Sequence, residues 1–123
     1  MDRVTITIPA QPAYVQVIRL IAAGLAARLS FTIEDIEDLK IAVDELSAYL
    51  TGTQGREGTL EVSFGVADDH IEISGAGRFS ADYKIRTDLT DFSRMILETV
   101  ADSASLDQQN GTPTFSLVKS KHA

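Results

Sequence analysis

The sequence lacks cysteine entirely and has only two histidines among its 123 residues. Without cysteine, disulfides and thiolate metal sites are excluded. His70 and His122 are the two possible imidazole ligands, and they are far apart in sequence. Zinc sites need several such ligands held together, so we expect no resident metal.

Positive charge is also scarce. The chain has 18 acidic and 11 basic residues, a formal net charge of −7, and a pI near 4.6. This average field repels a polyanion, and no Lys/Arg cluster offsets it, so nucleic acid is not expected as a partner. The acidity suits a soluble domain and would steer it toward basic partners.

Long apolar runs are missing. A membrane span needs roughly 20 apolar residues, whereas the longest candidate, residues 15–29, contains Arg19 and Arg28. The start MDRVTITIP has no basic region followed by an apolar core, so we expect no signal peptide and no membrane association. The composition, 44% hydrophobic and 24% charged, predicts one cytoplasmic domain over residues 1–123.

Periodicity predicts the order β-α-α-β-β-α-β-β. The expected elements are a strand at 4–8, helices at 15–29 and 33–50, strands at 59–66 and 70–74, a helix from Asp91, and strands at 103–109 and 114–118. Thr32 is the expected cap of the second helix and Asp91 of the third, in which Phe92, Met95, Ile96, Thr99 and Val100 line one side. Gly75-Ala76-Gly77 is expected to break a strand, residues 78–90 to form a loop, and residues 119–123 to form a tail.

Helices on one face of a mixed, mostly antiparallel sheet make an α+β fold, a two-layer α/β sandwich with three helices on one side. The second helix carries DLKIAVDE at residues 38–45, and the chain closes with TPTFSLVK at residues 112–119. With these motifs in this order, the sequence resembles the anti-sigma-factor serine kinases of bacteria. That family belongs to the ATPase superfamily of histidine kinases, Hsp90, gyrase B and MutL, so the resemblance implies the Bergerat-type ATPase fold.

The resemblance implies a general base at Glu45, followed four residues later by an asparagine that helps to hold Mg²⁺. Here Tyr49 stands in the asparagine position. A phenol does not bind a hard cation as an amide oxygen does, and its ring would fill space near the phosphates. Glu45 is then a vestigial base; apart from the resemblance, it reads as an ordinary solvated helix carboxylate.

The family also binds adenine with D-x-G-x-G. The two glycines are present as Gly75 and Gly77, but Ile73 occupies the aspartate position and offers no acceptor to the adenine amino group. A third device, the glycine-rich segment before the last helix, is replaced by residues 87–92, which contain Asp88 and Asp91 and no glycine. The fourth, a mobile lid, is reduced to residues 78–90, in which the basic residues Arg78, Lys84 and Arg86 lie among the acidic residues Asp82 and Asp88.

The sequence therefore predicts a pseudokinase: a degenerate anti-sigma-like regulator of transcription in the stress response, acting by stoichiometric protein binding and needing no cofactor. Whether it is an enzyme stays open. One alternative is an active serine/threonine kinase of an anti-anti-sigma factor, using ATP and Mg²⁺. Another is a sensor that binds a non-nucleotide ligand in the old ATP pocket.

Partners follow from the same resemblance. It implies binding to a sigma factor or an anti-anti-sigma protein, with Arg19 at a position that the family presents to its partner. The alternative for Arg19 is a surface residue whose stem shields the apolar face. The apolar strand at Val4, Ile6 and Ile8 and the alanine-rich first helix also predict a homodimer.

Overall fold

A computed structural model describes residues 1–122. Within this range the chain forms nine regular elements. In chain order these are β1 (Asp2–Pro9), a 3₁₀ turn (Pro12–Tyr14), α1 (Val15–Arg28), α2 (Ile33–Thr51), β2 (Gly58–Val66), β3 (His70–Phe79), α3 (Asp91–Val100), β4 (Ser103–Gln109) and β5 (Thr112–Ser120). This is the predicted order, and it confirms the α+β fold.

The strands of residues 1–122 form one five-stranded sheet in the order β1-β2-β3-β5-β4. All four pairings are antiparallel, so the expectation of a mixed sheet was wrong. Two connections are hairpins, which always give antiparallel neighbours. Between β1 and β2 the chain runs out along α1 and back along α2, which brings β2 beside β1 in the opposite direction.

The helices cover one face of the sheet and bury its alternate residues. Along β3, Ile71 and Ile73 are buried while Glu72 and Ser74 are exposed. The largest fully buried side chains come from both layers and are Phe64, Phe115, Ile18, Leu39, Leu46, Leu50, Leu60, Ile71, Ile73, Leu117, Val43 and Val62. The other face of the sheet is open and rich in serine and threonine.

Gly75 and Gly77 do not break β3, contrary to the sequence-based expectation, because the strand runs through both to Phe79. Each glycine makes room for an aromatic ring: a Cβ on Gly75 would collide with the ring of Phe115, and one on Gly77 with the ring of Phe79. The ladder of β3 with its two neighbours therefore continues, and a neighbouring ring supplies the missing apolar cover.

Helix α2 begins as predicted, since the Thr32 hydroxyl accepts a hydrogen bond from the backbone N–H of Asp35 at 3.1 Å. It ends at Gly52, whose φ of 65° suits glycine. The cap of α3 was predicted one residue late: Thr90 is the cap, and its hydroxyl accepts a hydrogen bond from the Ser93 N–H at 3.1 Å.

The predicted inner side of α3 was partly wrong as well. Phe92 and Met95 are exposed, at 67% and 61%, while Ser93, Leu97 and Val100 are buried. A serine faces inward because its hydroxyl has partners there. Strand β5 extends to Ser120, so the expected tail at 119–123 begins too early; Ala123, its last residue, lies outside the described residues.

Candidate functional site

Glu45 and Tyr49 lie one turn apart on α2, which packs against β3 and β5. Glu45 is half-buried, and within residues 1–122 its carboxylate has no ion-pair or hydrogen-bond partner. A carboxylate in that state is free to accept a proton from a bound molecule, or simply to be solvated. Its position next to Tyr49 is the arrangement expected from the sequence.

The hydroxyl of Tyr49 sits at the first turn of α3. It accepts a hydrogen bond from the Thr90 backbone N–H at 3.1 Å and donates one to the Ser93 hydroxyl at 2.7 Å. Burial alone would raise the pKa of Tyr49, but the hydrogen bonds with Ser93 and Thr90 outweigh it and hold that pKa below its usual value. The phenol thus takes up one backbone N–H at the start of α3.

Strand β3 contributes Ile73, Gly75 and Gly77 to the candidate site. Ile73 is buried in the core at 1% exposure, and Gly75 and Gly77 follow it on the helix-facing side of the strand. The rings of Phe115 and Phe79 lie over the two glycines. Both rings were missed from the sequence, because a register between strands is needed to see that Phe115 stands opposite Gly75.

Residues 80–90, the segment between β3 and α3, are tied down at both ends. Near its start, the Tyr83 hydroxyl accepts a hydrogen bond from the Glu57 N–H at 2.8 Å, and the Arg56 guanidinium lies 5.1 Å from the Tyr83 ring centre. The same guanidinium donates to the Leu50 carbonyl at 2.7 Å, at the end of α2. At the far end, Thr90 is held by Tyr49, so the segment is fastened to α2 twice.

Two acidic residues of this segment lie on the surface. Asp88 is exposed and pairs with Arg86 at 3.4 Å, and Asp91 is exposed in the first turn of α3. The basic residues are not gathered around the site, since Arg78 pairs with Glu61 at 3.9 Å. No cationic cradle for phosphate is formed by these side chains.

Of the five grooves described on residues 1–122, none is lined by Glu45, Tyr49 or Ile73. A groove of about 250 Å³ lies between residues 80–90 and the β4–β5 turn, and Gly77, Phe79 and Tyr83 are among its lining residues. It touches the glycine end of the site and stops short of Glu45.

Arg19 lies apart from this site, on the side of α1 that faces α2. Its Nε is 2.9 Å from an oxygen of Asp44, and both side chains are partly exposed. Burial raises the pKa of the Asp44 carboxyl, partly opposed by Arg19 and Lys40. Both residues line an open, mainly apolar groove of about 360 Å³ whose floor includes Val15 and Ala48.

A buried ion cluster at the other end of α2 was also missed. The Lys119 ammonium, 5% exposed, lies 3.5 Å from Asp35 and 3.5 Å from Asp38. Asp35 also accepts hydrogen bonds from the backbone N–H of His122 at 3.0 Å and from its ring at 2.8 Å. The cluster joins the end of β5 to the start of α2, and the signal for it was the lysine that closes the TPTFSLVK motif.

No three acidic or histidine side chains are grouped as metal ligands would be in residues 1–122. No helix in that range is long and apolar enough to cross a membrane.

Comparisons with known proteins agree on one family, although no family model matches the chain. The serine-protein kinase RsbW of Oceanobacillus iheyensis is 40% identical over 80 residues, which are 63% of this chain and 51% of the relative. RsbW of Bacillus pumilus is 40% identical over 90 residues, 68% of this chain and 56% of the relative. RsbW of Bacillus subtilis is 39% identical over 75 residues, 58% and 47% respectively. The chain spans about half the length of the curated relatives it matches.

A solved structure agrees with this on the fold. The structure of the RsbU and RsbW domains of a Mycobacterium tuberculosis protein superposes with a TM-score of 0.70 at 19% identity, covering 100% of this chain and 34% of that one. The motifs on α2 and β5 had indicated the same relationship. In sequence the chain is similar to the RsbW serine-protein kinases, and in fold it is similar to an RsbW domain.

Proposed function

We propose that the protein is an anti-sigma-like regulator that binds a sigma factor or an anti-anti-sigma protein stoichiometrically, and that it has lost ATP binding and kinase activity. The observation that carries the proposal is the hydroxyl of Tyr49, bonded to Thr90 and Ser93 at the start of α3. In the family this is where an asparagine helps to hold the metal and where backbone N–H groups hold phosphates. In this proposal the Tyr49 phenol replaces the asparagine and also bonds to a backbone N–H that would otherwise face the phosphates.

The chemistry of the neighbouring residues supports the same conclusion. Ile73 is buried and has no acceptor, so an adenine amino group placed beside it would lose a hydrogen bond, at a cost of about 1–3 kcal/mol. Asp88 and Asp91 put negative charge beside the place of the phosphates and would repel them. These residues do not fit Mg·ATP.

The packing adds a steric reason. Glycines in the family motif let a base approach the backbone, but here the rings of Phe115 and Phe79 already cover Gly75 and Gly77. A nucleotide would have to displace the half-buried ring of Phe79 and the buried ring of Phe115, and rearranging a close-packed buried ring is costly. The site is occupied by the chain's own side chains.

What remains for function is contact with other proteins. Arg19 faces an apolar groove, and its planar fork suits a partner's carboxylate. Within the chain, the Arg19 Nε lies 2.9 Å from an Asp44 carboxylate oxygen, the kind of contact that a partner's carboxylate would make. The proposal also includes a cytoplasmic location and a homodimer, since α1 leaves apolar side chains such as Leu20 exposed.

An active kinase is the second candidate function. Glu45 is half-buried and has no side-chain partner in the described chain, as a general base would require, and relatives about 40% identical are named serine-protein kinases. In that case Glu45 would take the proton of the partner's serine hydroxyl. The two candidates differ in their need for nucleotide.

Isothermal titration with Mg·ATP separates them, with the Bacillus subtilis RsbW as positive control in the same buffer. We expect heat of binding for the control and none for this protein at micromolar concentration. A Kd in the low micromolar range, about −8 kcal/mol, would contradict the loss of the site. If binding is absent, Tyr49→Asn combined with Ile73→Asp tests whether these two residues block it, and we expect measurable affinity in the double variant.

A further inference from the structure

Helix α3 turns two large apolar side chains toward solvent. Phe92 is 67% exposed and Met95 is 61% exposed, whereas the polar Ser93 between them is buried. The hydrogen bond of 2.7 Å from the Tyr49 hydroxyl to the Ser93 hydroxyl fixes this rotation of the helix about its axis. The serine therefore takes an inward position, and an aromatic ring and a thioether are left on the outer surface.

The two flanks of α3 face different neighbours. Arg94 and Glu98 line a groove together with residues of β4, so that flank of the helix faces the edge of the sheet. At the helical spacing, Phe92 and Ile96 lie on the opposite flank. Helix α2 packs on that side. The exposed ring of Phe92 is therefore turned toward the outer surface between α3 and α2.

Helix α2 adds a third exposed apolar side chain, Ile41, which is 45% exposed. Ile41 precedes Tyr49 by two steps of four residues, so the two side chains lie on nearly the same side of α2. Because the Tyr49 hydroxyl reaches the first turn of α3, this is the side of α2 that turns toward α3. We call Ile41, Phe92 and Met95 the α2–α3 patch.

The two helices that carry the patch are strongly acidic. Helix α2 has six acidic residues and one basic residue, Lys40, which pairs with Glu37 at 3.0 Å. Helix α3 has two acidic residues and one basic residue, Arg94, on the flank that faces β4. Glu34, Glu37 and Asp91 are exposed at the ends of the two helices. Their field attracts a cationic partner and repels an anionic surface.

We propose that the α2–α3 patch binds a basic amphipathic helix of another protein. Apolar side chains of that helix, spaced three and four residues apart, lie on the patch, and its Lys and Arg side chains lie toward the acidic ends of α2 and α3. An apolar centre containing an aromatic ring and a methionine, with charge at the rim, is the usual composition of a protein interface. The proposal goes beyond the proposed function and is independent of it, because Arg19 and Asp44 lie on the side of α2 that faces α1.

The probe is a fluorescently labelled peptide of about 14 residues, made of leucine and lysine in an amphipathic helical pattern, and fluorescence anisotropy measures its binding to the whole chain. We expect micromolar binding that weakens as salt is added, and none for the same pattern with glutamate in place of lysine. Phe92→Ser and Met95→Ser should each weaken binding about tenfold. Both positions are exposed, so the fold should persist, which circular dichroism checks. Ile33→Ser is the matched control, since Ile33 is 81% exposed on α2 outside the patch, and it should bind like the wild type.

Three results would overturn the proposal. One is a wild type that does not bind the leucine–lysine peptide, and another is binding that Phe92→Ser and Ile33→Ser change equally. The third is a different occupant of the patch. Phosphatidylserine vesicles that bind the wild type but not Phe92→Ser would identify a membrane surface, and a mass in sedimentation equilibrium that falls in Phe92→Ser alone would identify a contact between copies. Binding of Mg·ATP would contradict the proposed function and leave the peptide result unaffected.

Discussion

The hydroxyls of Tyr49 and Ser93 lie 2.7 Å apart and join the end of α2 to the first turn of α3. Ser93 is buried, and its hydroxyl also accepts from the Thr90 hydroxyl at 3.0 Å. The Thr90 N–H completes the group by donating to the Tyr49 oxygen. A small polar network therefore holds the end of α2 to the start of α3.

Tyr49→Phe should lower the free energy of unfolding by about 1–3 kcal/mol, because it strands the Thr90 N–H in a part-buried position. Urea denaturation measures the difference. Tyr14→Phe is the matched control, since Tyr14 is 46% exposed and its hydroxyl has no protein partner within residues 1–122. Equal stability of the two variants would mean that water replaces the phenol without loss.

Gly75→Ala should destabilise the protein by about 1–3 kcal/mol, because its Cβ would collide with the buried Phe115 ring and force the core to shift. Gly24→Ala is the opposite case: with nothing near its Cβ, alanine should stabilise α1 by about 0.5–1 kcal/mol. Thermal unfolding measures both. If Gly75→Ala left the stability unchanged, the packing of the Phe115 ring would not require glycine at position 75.

The fold was largely predictable because its signals are local. Alternating residues in β1 and β2 and the helical spacing of α2 gave the elements and the layer order, and Thr32 fixed the start of α2. The errors arose where a long-range contact decides the structure. The strand β3 continues through Gly75 because Phe115 covers it, and Ser93 turns inward because Tyr49 is there to bond with it.

The candidate site was predictable only in part, for a related reason. The motif on α2 identified Glu45 and Tyr49, but no pattern in the sequence shows that the phenol reaches Thr90, 41 residues later. The buried pairing of Lys119 with Asp35 was invisible as well, because its members come from opposite ends of the chain and each alone resembles a surface residue.

Acid should destabilise the protein through Asp35. Burial would raise the pKa of this carboxyl, but hydrogen bonds from His122 and the Lys119 charge outweigh burial and hold the pKa below its usual value. A depressed folded-state pKa means that Asp35 stabilises the fold above its unfolded pKa of about 3.9, and that this stability is lost as the pH falls through the lower folded-state value.

The measurement is the free energy of unfolding between neutral pH and about pH 2, an interval that spans the ordinary carboxyl pKa. Asp35→Asn should lower stability by about 3–5 kcal/mol at neutral pH, since it leaves Lys119 buried with one partner fewer, and should flatten the acid dependence. Asp82→Asn, at an exposed position, is the control and should change neither the stability at neutral pH nor its acid dependence. An Asp35→Asn curve parallel to that of the wild type would assign the acid sensitivity to other carboxyls.

A regulator that works by contact and a kinase respond differently to changes at Glu45 and Arg19. If contact alone is needed, Glu45→Ala should leave partner binding and regulation unchanged, because no proton has to be removed. Arg19→Glu should weaken partner binding by about 2–5 kcal/mol if the pair it forms is desolvated, since a reversed charge repels the partner's carboxylate. Calorimetry measures the affinity of each variant for a sigma factor and for an anti-anti-sigma protein from the same organism.

Reversal at position 19 also places a second acid beside Asp44, so its effect on the fold must be kept separate. The double variant Arg19→Glu with Asp44→Arg restores an ion pair within the chain but still presents the wrong charge to the partner. We expect it to recover the stability of the wild type and not its partner affinity. Arg94→Glu, exposed on α3, is the matched charge reversal and should bind normally. The opposite pattern, in which Glu45→Ala abolishes regulation while stability and affinity stay intact, would identify a working kinase.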